Sequence, residues 1–179
     1  MTRGRPVCGL VAVYPDEECS MFIALKGTFM NAREATDATT GFTLSRVLSG
    51  APAEVFVHFT EPALFSRWFI VEGFTTPASR VKLDPRPGGM INAVMVPDGE
   101  GPEIPFTATY RIVEPQRRIQ FKFTDPTEIV TISLLDLGVE GTQLTYSNVG
   151  AALTERAAAL IGVERMLDAL DSSLADLRR

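Results

Sequence analysis

Histidine occurs once in this chain, at His58, and cysteine twice, at Cys8 and Cys19. One imidazole excludes metal sites and catalytic triads that need several. Two thiols near the N-terminus make no disulfide framework. No apolar run approaches the roughly 18 residues needed to span a bilayer, so membrane insertion is not expected. Basic residues number 17 against 22 acidic ones, a net charge of -5 with a pI near 5.0. That balance argues against nucleic acid or an anionic membrane surface as the main partner. What the chain does have is apolar surface. It is 45% hydrophobic and 22% charged, enough to offset the entropy of ordering and exclude wholesale disorder. A length of 179 residues suits one domain of ordinary size.

Arg3 and Arg5 precede a short apolar run, Val7 to Tyr14, that superficially resembles a secretion signal. Pro15-Asp16-Glu17-Glu18 breaks it and no small-residue cleavage site follows. A cytoplasmic protein with reduced thiols is the expectation. Residues 1–40 show no sustained periodicity, and Met21 and Met30 offer alternative starts. They are expected to form an N-terminal extension, poorly ordered or reflecting a misplaced start, with the folded domain spanning 41–179.

Regular patterning begins at Phe42, where Phe42 to Leu48 reads as a strand ending at Ser49-Gly50. Pro52 and Glu54 then open a short helix with Val55, Phe56 and Phe59 on its apolar side. Thr60-Glu61-Pro62 starts a second, carrying Leu64, Phe65, Trp68 and Phe69. Strand periods follow. Val81 and Leu83 lead to the turn Asp84-Pro85-Arg86-Pro87-Gly88-Gly89. Ile91, Ala93 and Met95 share one face, as do Phe106, Ala108, Tyr110 and Ile112. Ile119, Phe121 and Phe123 come next, then Val130, Ile132 and Leu134, then Leu144 and Tyr146. Alternation with short connections predicts an antiparallel meander of about six or seven strands buried on one face. No helix separates these strands, which excludes a doubly wound parallel sheet.

After Gly150 the period changes. Leu153, Ala157, Leu160, Val163, Leu167, Leu170, Leu174 and Leu177 recur at helical spacing, predicting a long amphipathic helix from near Leu153 to near Leu177. Gly162 costs helix propensity, of order 1 kcal/mol, and suggests a close approach of backbone or ligand. The fold class is α+β in the helix-grip arrangement: a curved antiparallel sheet wrapped around a long C-terminal helix, with two short helices after the first strand.

The sequence resembles the bacterial relatives of the heat-shock protein 90 ATPase activator, within the SRPBCC superfamily of START-like and birch-pollen-allergen-like proteins. The resemblance runs from Phe42 to the C-terminus. Its pieces are Ala51-Pro52-Ala53-Glu54-Val55-Phe56, Glu61-Pro62 with Trp68-Phe69, and Asp84 with Arg86-Pro87-Gly88-Gly89. Pro97-Asp98-Gly99, Glu114-Pro115 with Arg118-Ile119-Gln120-Phe121, and Gly141-Thr142 with Leu144-Thr145 continue it in order. Phe69 and Val163 stand where that family often has tryptophan, which implies a differently shaped cavity.

The inward-facing set would line a space between sheet and helix. It comprises Trp68, Phe74, Ile91, Met95, Phe106, Tyr110, Phe121, Ile132, Tyr146 and Asn148; Val163, Met166, Leu167 and Leu170 approach from the C-terminal helix. Any of these also reads as ordinary core. A strongly curved sheet and one helix close incompletely, and a ligand site of this kind needs apolar walls plus a few polar groups, here Tyr110, Tyr146 and Asn148. His58 is expected to point partly outward. Glu54, Glu61, Asp84 and Asp98 occupy caps or turns, and no carboxylate is expected on the inward parity. No phosphate loop, nucleophile elbow or metal-ligand spacing appears, so no cofactor or metal is expected and nothing demands an enzyme. The reading is a module binding a small apolar or amphipathic molecule. An SRPBCC-type enzyme (cyclase or hydrolase-like) and a chaperone or stress-response cofactor are the alternatives. A homodimer through exposed sheet or helix surface is compatible with the pattern.

Overall fold

The computed structural model describes residues 41–124, 128–150 and 156–178. Strand β1 (Gly41–Leu48) is followed by helices α1 (Pro52–Val57) and α2 (Pro62–Trp68). The two-residue strands β2 (Phe74–Thr75) and β3 (Lys82–Leu83) lead into β4 (Met90–Pro97), β5 (Ile104–Glu114), β6 (Arg118–Phe123), β7 (Glu128–Asp136) and β8 (Thr142–Gly150). Helix α3 (Arg156–Asp176) ends the fold. The eight strands form one curved antiparallel sheet in the order β1-β8-β7-β6-β5-β4-β2, with β3 also on β4. Six of the eight are the long strands read from the sequence; β3 lies where Val81 and Leu83 carry the strand period, and β2 is too short for a sequence period to mark. The anticipated extension at 1–40 and Leu153 lie outside the described residues.

Alternation along each long strand decides what the sheet buries. On β8, Thr142, Leu144 and Asn148 are buried, with Tyr146 half-buried in the same parity. On β7 the buried positions are Glu128, Val130 and Ile132. A carboxylate thus does fall on the inward parity, contrary to the sequence reading. A second departure lies on β5. The register shifts between Tyr110 and Ile112, so that Ile112 pairs with Gln120 and Val113 with the buried Ile119. The extra residue turns the strand over: Val113, rather than Ile112, packs against the core.

The turn before β4 shows why glycine is needed there. A Cβ on Gly89 would sit 1.9 Å from the Asp84 carbonyl oxygen. With that contact open, Gly88 N–H donates to Tyr110 and Tyr110 N–H donates to Gly89, both at 2.8 Å, and the turn lies down on β5.

Helix α1 starts where Glu54 accepts a hydrogen bond from Ala51 N–H at 2.8 Å. Arg178, beyond the end of α3, also reaches Glu54 at 2.9 Å. These two donors hold the Glu54 carboxyl below the usual carboxylate range. Helix α3 packs against α2 and β1. Its buried line is Ala159, Val163, Leu167, Leu170 and Leu174, spaced by four, four, three and four, as an amphipathic stripe requires. Leu177 falls off the stripe, 49% exposed just past the helix end. Gly162 admits no close approach, because a Cβ there would meet nothing within 4 Å.

Candidate functional site

Of the residues the sequence nominated, Trp68, Ile91, Met95, Phe106, Tyr110, Phe121, Ile132, Val163, Leu167 and Leu170 are buried in one continuous core. Phe74, Tyr146 and Met166 are half-buried against it. The aromatic members touch in a chain, with Trp68 edge-on to Phe69, Phe69 against Phe106 and Phe106 against Phe123 at centroid separations of 5.8, 4.7 and 5.0 Å. Phe69 also stacks on Phe65.

Two of the polar groups in this interior are occupied by the fold. Trp68 Nε1–H donates to the His58 carbonyl and the Tyr110 hydroxyl to the Phe59 carbonyl, each at 2.7 Å. Both bonds end just past the C-terminus of α1, on carbonyls that would otherwise be buried without a partner. Tyr110 is therefore a structural group, and burial pushes its hydroxyl well above the ordinary tyrosine range.

His58 is fully enclosed, not outward-facing. Its ring reads onto the same side as Val55 and Phe59 by helical spacing, the signal that sequence reasoning passed over. Nδ1 lies 2.7 Å from the Glu54 carbonyl, which can only accept, so Nδ1 carries the proton. Nε2 then accepts from the Ser173 hydroxyl on α3 at 3.0 Å. Burial lowers the imidazole pKa and keeps the ring neutral. A serine bonded to a histidine suggests a nucleophile, but Ser173 is itself buried. The pair fastens α1 to α3.

Glu128, Asn148 and Tyr146 form a different kind of group. Glu128 and Asn148 are each only 2% exposed, on the adjacent strands β7 and β8. Asn148 Nδ2 donates to Glu128 Oε2 at 2.9 Å. Among the described residues Glu128 Oε1 and Asn148 Oδ1 have no hydrogen-bond partner. Burial raises the Glu128 pKa, and the Asn148 bond offsets only part of that rise. Tyr146 is pushed up as well, by burial and then by the nearby Glu128 charge. Phe42, opposite Asn148 on β1, stacks on the Tyr146 ring at 5.8 Å. Tyr146 and Asn148 were nominated by parity. Glu128 was missed because the strand was read as starting at Val130, although it stands two residues before Val130 and thus on the same face. Chemically, the cluster can hold the polar end of a ligand or keep a proton on a carboxyl. Among the described residues no group of three or more histidine, cysteine, aspartate or glutamate side chains assembles for a metal, and no helix is long and apolar enough to cross a membrane.

Solved structures share this architecture. Protein NE0264 from Nitrosomonas europaea superposes with a TM-score of 0.70 at 24% identity, covering 80% of this chain and 99% of its own. Protein CV1439 from Chromobacterium violaceum gives 0.68 at 27% identity, covering 75% and 97%. An AHSA1-like protein from Aeromonas hydrophila gives 0.69 at 17% identity, covering 77% and 94%. No curated protein matches the chain. The family model described as Activator of Hsp90 ATPase homolog 1-like protein matches residues 50–175, from the end of β1 almost to the end of α3. With most of its length inside that match and its helix-grip fold in hand, the chain belongs to the Activator of Hsp90 ATPase homolog 1-like family.

Proposed function

We propose that this protein binds a small apolar or amphipathic molecule between the concave face of its sheet and α3. The observation that carries the reading is the Glu128–Asn148 pair, which leaves two polar atoms without partners in an apolar interior. A buried polar group without a partner costs about 1–3 kcal/mol. A core that served packing alone would be more stable with an apolar side chain at each position. Orienting polar groups among hydrophobic walls are what a small-molecule site requires. The site is read as working in the cytoplasm and needing no nucleic acid.

The test is the melting temperature of the full chain across a panel of small apolar and amphipathic molecules, because a ligand that binds only the folded state must raise it. Trp68, the only tryptophan, reports the same event by its emission. A panel that shifts neither signal overturns the reading. A second reading, an SRPBCC-type enzyme of cyclase or hydrolase type, draws on the same carboxyl. Burial raises the Glu128 pKa, the direction a general acid needs.

A further inference from the structure

We propose that Glu128 and Asn148 form a subsite for a small organic amine that carries an apolar body. The proposal rests on the ligand-binding reading above and names the chemistry of the ligand's head.

The two open atoms, Glu128 Oε1 and Asn148 Oδ1, belong to side chains bonded to each other, so both lie at one place on the concave face. Asn148 Oδ1 can only accept a hydrogen bond, and an ionised Glu128 Oε1 likewise only accepts. Among the described residues no ion pair reaches this carboxyl. The six ion pairs among the described residues engage Glu54, Glu72, Asp84, Glu103, Glu114 and Asp168, none of them Glu128. The neighbouring positions on this face are aromatic, Tyr146 among them with its hydroxyl interacting with the Asn148 side chain. Phe42 lies opposite Asn148 and stacks on Tyr146. Phe121 lies opposite Val130 on β6, with Phe123 next on that face and its ring centroid 5.6 Å from that of Phe121.

A primary ammonium fits each of these features. Its three N–H donors can reach Oε1 and Oδ1 together. Its charge supplies the counter-ion that the carboxyl lacks, and aromatic faces attract it. A hydroxyl brings one donor and leaves one of the two oxygens open. A carboxylate sets like charge against Glu128. The apolar body would then lie along the hydrophobic interior.

Hexylamine, hexanol and hexanoate, matched in chain length, separate these cases by calorimetric titration of the full chain. Hexylamine should bind at least about tenfold tighter than hexanol, a difference of about 1.4 kcal/mol, with hexanoate weakest. Glu128→Gln keeps an acceptor for Asn148 but removes the charge, and should lose the preference for hexylamine over hexanol. Equal binding of the three, or a preference that survives in Glu128→Gln, overturns the amine assignment and leaves the ligand-binding reading standing. Binding of none overturns both. If Glu128→Gln fails to fold, the ranking of the three probes on the unaltered chain decides the matter.

Discussion

A carboxyl enclosed by apolar side chains is stable when uncharged or paired, and Glu128 has one amide donor and no cation among the described residues. Its folded pKa is raised from the ordinary 4.5, so its contribution to stability is fully present below that value. As pH climbs through the folded value the buried group must ionise, and the contribution is lost. Glu128→Gln removes this term. The unaltered protein should therefore lose melting temperature relative to Glu128→Gln as pH rises above the ordinary 4.5 and through the raised folded value. Parallel melting-temperature profiles for the two proteins would show that the carboxyl is not strained by burial. His58 carries the opposite sign. Its pKa is lowered from 6.5, so its share of stability is present above that value and declines as pH falls through the folded one. The substitution at Glu128 leaves that acid-side decline in place, which lets the two effects be told apart in one pair of curves.

At the scale of elements, α3 shows how a stripe and a defect coexist. Val163, Leu167, Leu170 and Leu174 anchor it, while Ser173 on the same side bonds His58 of the α1 end. Gly162 sits beside this line with open space where a side chain would go. Nothing in the packing demands glycine there. Gly162→Ala should stabilise the protein by about 0.5–1 kcal/mol, because alanine has less backbone entropy to lose in a helix. Urea unfolding measures it, and a lowered midpoint would show that the space beside Gly162 is one the fold needs empty. The bulge in β5 makes a related point. One extra residue after Tyr110 sends Arg111 outward, half-buries Ile112 and Val113, and brings Val113 against the core, so the inward face changes hands within a single strand.

Across the whole molecule, the first and last strands are neighbours, with Gly41 opposite Val149 and Leu48 opposite Thr142. That pairing joins the ends of the sheet's chain path, and α3 then returns over β1. The family match begins at residue 50, just after the whole of β1. A chain beginning at Met30, which retains all of β1, is expected to hold its melting temperature within a few degrees. A large loss would assign the preceding residues to the core. The local patterns were legible without coordinates, because periods of two and of three to four residues are short-range properties of a chain with one buried face. They marked the long strands, the two short helices, α3, and the parity that nominated Tyr146 and Asn148. Partner choice is a different matter. His58 meets Ser173 across 115 positions, and Glu128 meets Asn148 only because β7 and β8 are adjacent in register. Whether a buried histidine is satisfied, or a buried carboxyl left with an open oxygen, depends on which atoms the fold brings within about 3 Å. That distance is decided by tertiary structure alone, and on it rests the difference between the fastening at His58 and the candidate site at Glu128.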